Sequence, residues 1–285
     1  MKLRKIAAVL IAIVVLCAAP IGGLVGVDCI SFFAPKAEAT GKTYKVGDIV
    51  EFGSYPQSRV MNSSLVSSLN SVSKKWVSYG YYSGTGDYGT MVQGDWMKYA
   101  DFTYNGTKYR AVTFSQYRPY RIYNPSSSNT SNQYSNGYTP NKIYYFKYEP
   151  LKWRVLDPSA GLVLCESIID SQAYSNTVYC YGRDPYDEYD AYWNDAEHTH
   201  YANGYATSSI RTWLNNDFYN TAFSSSQKTS ILTSKLDNRA CSISYSEYDS
   251  ETTYDKVFLL SWSEMQNTAY GFSASTSSST TRKAT

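Results

Sequence analysis

Apolar and polar positions alternate most clearly between Tyr99 and Phe114. Tyr99-Ala-Asp-Phe-Thr-Tyr104 and Thr107-Lys-Tyr-Arg-Ala-Val-Thr-Phe114 are both β-prone, and Asn105-Gly106 separates them. Both central positions of a two-residue hairpin turn need positive φ, which Asn and Gly accept at least cost, so the pattern predicts a β-hairpin. Tyr44–Phe52 (YKVGDIVEF) reads as a strand leading into a turn at Gly53–Gln57, and Lys75–Tyr82 is strand-like. Ile143–Glu149, Leu151–Asp157 and Gly161–Glu166 read as three successive strands, with Pro150 placing the first junction at a turn or a sheet edge.

Helical spacing appears first at Leu65, Val66 and Leu69, which predicts a short helix, and more fully in the C-terminal half. Ile210, Trp213, Leu214 and Phe218 share one face of a helix over Ser208–Tyr219, with Thr207 or Ser208 as its cap and the Trp213 ring expected in the core. Arg211 and Asn215, four apart on a neighbouring face, are expected to tie that helix to an adjacent strand or loop. Ser224 and Gln227 have capping-box spacing for a second helix burying Ile231, Leu232 and Leu236. Asp255–Leu260 (DKVFLL) reads as a buried strand, and Ser261–Glu264 repeats the capping-box spacing for a third. Strands followed by helices, without βαβ alternation, predict an α+β fold: antiparallel β-sheets with two or three short helices in the C-terminal half.

Charge patterning at the N-terminus changes the picture. Met1–Lys5 is basic, Ile6–Val27 carries no charge, and Ala37-Glu38-Ala39 has the A-x-A form, so residues 1–39 read as a secretory signal peptide cleaved before Thr40. An uncleaved membrane anchor is the alternative and the one route to a membrane in this reading. From Thr40 onward 22 basic residues balance 22 acidic ones, which argues against nucleic acid as a partner and against a polybasic membrane binder. All 30 Tyr and 6 Trp lie in this body, ample apolar surface for one secreted domain over 40–285 with an exposed insertion loop at 115–142. Cys165, Cys180 and Cys241 remain after cleavage; the odd number and the absence of C-x-x-C encode neither a disulfide framework nor a zinc knuckle. If one bridge forms, Cys180 with Cys241 is the better choice, since Cys165 lies in a buried-strand pattern.

Candidate chemistry concentrates between residues 180 and 205. Asp184, Asp187, Glu188 and Asp190 form an acidic loop whose oxygens suit calcium, or which is simply solvated; the EF-hand spacing is absent. His198 and His200, with Asp195 and Glu197, would face one side of an extended backbone, but H-x-H alone is a weak metal signal. No Walker, G-x-S-x-G or H-E-x-x-H pattern occurs. Tyrosines inside Ser/Asn loops are not explained by β-propensity, and exposed rings stack on sugar faces. Tyr186, Tyr189, Tyr192 and Trp193 are the leading binding residues, with Tyr117, Tyr120, Tyr123, Tyr134 and Tyr138 as further loop aromatics.

Five strings occur in order: VEFGSYPQ (Val50–Gln57), YEPLKWRVLD (Tyr148–Asp157), SSIRTWLNNDFYNTAF (Ser208–Phe223), DKVFLLSWSE (Asp255–Glu264) and the terminal Arg282-Lys-Ala-Thr285. From about Tyr44 to its end the chain resembles a family of secreted Gram-positive bacterial proteins carrying a domain of unknown function. That family in turn resembles, more distantly, the C-type-lectin-like and sulfatase-modifying-factor-like folds, and it brings no catalytic residue to carry over. Its members continue past the R-x-A-T region into further strands, so the resemblance implies a C-terminally incomplete sequence here. The expectation is an exported or cell-surface, non-catalytic binding module for glycan or cell-wall polymer, without a cofactor unless calcium binds. An exported enzyme with active residues beyond Thr285, or a structural and adhesive domain of a larger surface protein, are the alternatives.

Overall fold

The computed structural model of the chain describes residues 43–79, 97–117, 119–121, 124–128, 134–170, 172, 174, 204–240 and 249–274. Strands β1 (Ile49–Arg59), β2 (Val77–Ser78), β3 (Met97–Tyr104), β4 (Thr107–Phe114) and β7 (Ile143–Asp157) form an antiparallel sheet in the order β1-β7-β4-β3-β2, with β8 (Leu162–Cys165) also pairing with β7. β5 (Pro119–Arg121) and β6 (Asn124–Ser128) pair within the segment that the sequence presents as an insertion loop. β9 (Ser234–Leu236) and β10 (Thr253–Asp255) form a second small antiparallel ribbon. With short helices in the C-terminal half, the architecture is α+β. The described residues fall into two compact units, one drawn from the stretches ending at Ser54, from Pro150–Ser171 and from Gly204 onward, the other from Tyr55–Glu149 and Gln172–Asn203.

In the unit built on Tyr55–Glu149, Asn105 (φ 47°) and Gly106 (φ 75°) close the expected hairpin. Helix α1 (Ser63–Asn70) starts where Asn62 accepts a hydrogen bond from the Leu65 N–H at 2.8 Å. Its apolar stripe, Leu65, Val66 and Leu69, packs with Ala100, Tyr109, Ala111 and Tyr145. The helix end is held by Lys74, whose Nζ donates to the Leu69 and Val72 carbonyls at 2.7 and 2.8 Å. The Tyr145 hydroxyl donates to Asn70 Oδ1 at 2.8 Å, and burial pushes its pKa up to about 12.

The other unit surrounds Trp153, which is fully buried and donates its indole N–H to the Phe52 carbonyl at 2.7 Å. Leu156, Leu162, Phe258, Leu260, Met265 and Phe272 form its core. Ser208 caps the Ser209–Trp213 helix, accepting from the Arg211 N–H at 3.2 Å. Arg211 pairs with Asp255, while Asn215 donates to the Val257 carbonyl at 2.9 Å and accepts from the Lys256 N–H at 2.9 Å. The conspicuous SSIRTWLNN string therefore ties its helix to β10 and the chain after it, as its spacing implies.

Several boundaries differ from the sequence reading. β1 does not stop at a turn: Gly53–Gln57 continues the strand, with Pro56 tolerated because β1 lies at the end of the strand order. β7 is one strand of 15 residues, not two, since Pro150 falls between the stretch paired with β4 and the stretch paired with β8. Asp255 ends a strand instead of opening one, although Val257, Phe258 and Leu260 are buried as expected. The capping box at Ser224 and Gln227 forms, but the helix is only Ser225–Lys228; Ile231 is buried whereas Leu232 is exposed. Ser261 and Glu264 exchange capping bonds of 2.7 and 3.2 Å ahead of the 3-10 turn Glu264–Gln266. Trp213 is half-buried, outside the core. Four residues of α-helix overshoot a full turn by about 40°, and the π-helical turn Leu214–Phe218 unwinds that drift. Ile210, Leu214, Phe218 and Ala222 therefore stay aligned and buried, leaving Trp213 on the flank with its ring 5.5 Å from Phe218.

Candidate functional site

A two-residue turn at Asn105-Gly106 fixes the hairpin register and puts Asp101 directly opposite Arg110. Side chains alternate across a sheet, so Lys108, Arg110, Val112 and Phe114 share one face of β4. Register places Met97, Tyr99 and Asp101 of β3 and Tyr144 and Phe146 of β7 on that same face. The opposite face carries the α1 core; this one is rich in aromatic rings and cations, and Arg110, Phe114, Tyr144 and Tyr148 on it are buried.

Arg110 lies at its centre, 5% exposed. Its Nε and Nη2 each donate to one oxygen of Asp101 at 2.8 Å, a bidentate pair. Nη2 also reaches the Tyr148 hydroxyl at 3.2 Å and Nη1 the Tyr55 hydroxyl at 3.4 Å. The Tyr99 ring lies 4.3 Å from the guanidinium. Burial works most strongly against the Arg110 charge, but Asp101 together with Tyr55 and Tyr148 outweighs it and raises the pKa. Burial likewise raises the Tyr148 pKa, against the opposing pull of Arg110. Lys108 is exposed, with its Nζ 4.1 Å from the Tyr148 ring centroid; burial of its inner part lowers its pKa against the attraction of Asp101. Arg110 and Asp101 pair with each other at the centre of this cluster and order the face.

The second half of the face is a braced turn. Tyr134–Gly137 closes with a 2.8 Å bond from the Gly137 N–H to the Tyr134 carbonyl. Thr139 donates its N–H to the Tyr144 hydroxyl at 2.6 Å, and Asn141 donates to the Phe114 carbonyl at 2.7 Å. Arg59 of β1 holds the turn from the sheet: Nη1 donates to the Asn136 carbonyl at 3.3 Å, and the guanidinium lies 4.7 Å from the Tyr138 ring and 4.6 Å from the Tyr144 ring. Tyr138 packs edge-on against Tyr144 at 4.9 Å, while Tyr134 stands 66% exposed.

Of the loop aromatics expected to bind, Tyr134 and Tyr138 thus share this turn, and Tyr117 lies nearby with its ring 6.1 Å from Phe114. Tyr186, Tyr189, Tyr192, Trp193, Tyr123 and the Tyr120 side chain lie outside the described residues, as do Asp184, Asp187, Glu188, Asp190, His198, His200, Cys180 and Cys241. Among the described residues no group of three His, Cys, Asp or Glu is placed to hold a metal ion. Sequence reasoning passed over Arg59, Arg110 and Asp101. The last two were accessible, because a two-residue turn at Asn105-Gly106 makes them cross-strand partners; Arg59 carries no local signal.

Residues 162–284 match the family described as a domain of unknown function, DUF6273. No curated protein and no solved structure matches the chain.

Proposed function

We propose that this protein is an exported or cell-surface binding module without catalytic activity, taking a glycan or cell-wall polymer. The observation that carries this reading is the braced Tyr134–Gly137 turn. An exposed Tyr134 ring projects from backbone held by Arg59, Tyr144 and Phe114, so a sugar face meets an aromatic platform already ordered before binding. The pairing of Arg110 with Asp101 supports a positioning role for that part of the face rather than acid–base chemistry. Tyr186, Tyr189, Tyr192 and Trp193 extend the same reading, as do secretion through residues 1–39, a Gram-positive source and a C-type-lectin-like likeness. No cofactor is needed; calcium at Asp184, Asp187, Glu188 and Asp190 is an addition that EDTA would expose. The test is binding of the mature chain to purified cell-wall fragments and glycans, followed by tyrosine fluorescence. Tyr134→Ala should weaken binding while leaving the melting temperature unchanged. Undiminished binding in that variant moves the site away from this turn, and no binding to any glycan rejects the reading.

A further inference from the structure

Five arginines have described side chains, and four are paired with a carboxylate: Arg110 with Asp101, Arg154 with Glu166, Arg211 with Asp255 and Arg239 with Asp237. Arg59 has no carboxylate partner among the described residues. Its surroundings are two tyrosine rings and one backbone carbonyl, which takes a single N–H of a fork that carries five. The two rings hold the guanidinium between them without neutralising it, a preorganised site for an anion.

Tyr55–Glu149 holds ten Lys and Arg against four Asp and Glu, and Gln172–Asn203 of the same compact unit holds one Arg against six acidic residues, so the unit as a whole is close to neutral. The two described acidic side chains of the Tyr55–Glu149 stretch are already engaged, Asp101 by Arg110 and Glu149 by the Ser58 hydroxyl at 2.6 Å. Neither of them is a partner of Arg59. Tyr134, 66% exposed, belongs to the turn whose Asn136 carbonyl Arg59 holds. A ligand that uses both presents a ring face and an anionic group.

We infer that the ligand is an acidic polysaccharide built from uronic-acid-type sugars, whose carboxylate pairs with Arg59 while the sugar ring stacks on Tyr134. The inference rests on the binding function proposed above and sharpens it. A polyol-phosphate polymer supplies charge but no ring face, and a neutral glycan supplies a face but leaves Arg59 unused.

The test is calorimetric titration of the mature chain with an oligogalacturonate, its neutral galactose counterpart, a glycerol-phosphate oligomer and oligothymidylate, in wild type and in Arg59→Gln and Arg59→Lys. Circular dichroism checks that each variant folds. The expected result is preference for the oligogalacturonate, weakened by salt, with a loss on the order of tenfold in Arg59→Gln, in line with a charge-assisted pair, and partial retention in Arg59→Lys. Equal binding of the neutral oligomer, insensitive to Arg59→Gln, overturns the acidic-sugar inference while leaving the glycan-binding function standing. Tighter binding of glycerol-phosphate or oligothymidylate overturns it in favour of those polymers. Absence of binding to every sugar probe and to cell-wall fragments overturns both.

Discussion

Arg211 Nε lies 3.0 and 2.9 Å from the two carboxylate oxygens of Asp255, whose side chain is 2% exposed. The two partners are buried unequally, since Arg211 is 31% exposed and also donates to the Ala206 carbonyl at 3.0 Å. Removing Arg211 strands a buried carboxylate, whereas removing Asp255 leaves a cation that can turn to water. Arg211→Ala should therefore cost about 3–5 kcal/mol and Asp255→Ala about 1–3 kcal/mol. Urea unfolding of both variants measures the difference; equal losses would show that the Asp255 side chain reaches water.

Gly53 occupies a place where a side chain does not fit. Its φ is +76°, and a Cβ built there would lie 2.7 Å from Cε1 of Phe223 and 2.9 Å from the Ala222 carbonyl oxygen. Gly53→Ala combines left-handed strain with overpacking and should destabilise by about 2–5 kcal/mol. Adding Phe223→Leu should recover part of the loss if the ring is the obstacle. Without recovery, the obstacle is the carbonyl or the backbone conformation.

Local chemistry was legible where one residue type decides the geometry. Asn105-Gly106 specified its hairpin, Ser208 and Ser224 capped as their spacing implied, and Arg211 and Asn215 proved to be braces. Gly53 and Pro150 misled because each has two meanings. Gly53 looks like a turn but answers the close approach of Phe223, and Pro150 looks like a break but lies inside one long strand, between the stretches paired with β4 and with β8. No window of sequence contains Phe223 when Gly53 is read. The same distance hid Arg59, whose tyrosine partners lie about 80 residues away in the chain.

The π-helical turn makes a prediction about the two aromatics of the SSIRTWLNNDF string. Phe218 is wholly buried and meets Phe223 edge-on at 5.9 Å, while Trp213 is half-buried. Phe218→Ala should cost about 3–5 kcal/mol and Trp213→Ala roughly half as much or less, despite the larger ring. Chemical unfolding compares them directly. A larger loss from Trp213→Ala would mean that the helix runs without its π turn and that the regular heptad-like face survives.

Cys165 sets an expectation for alkaline pH. The thiol is buried at the end of β8, where Sγ donates to the Ser167 carbonyl at 3.3 Å, and burial pushes its pKa from 9.0 up to about 11. A raised folded value means that the folded chain keeps the proton after the unfolded chain has lost it. The thiol's contribution is thus fully present below about pH 9 and is lost between about pH 9 and 11, a fall on the order of 2 kcal/mol. Tyr145, raised to about 12, adds a further fall at higher pH, so the two are separated by variants and not by the curve alone. Cys165→Ala should be somewhat less stable at pH 7 but show a flatter decline from pH 9 to 10.5 than the native chain. Iodoacetamide at pH 8 should label Cys165 slowly in the native protein and rapidly in urea. Fast native labelling, or an identical decline in the variant, would show that the thiol is open to solvent and that burial does not hold its proton.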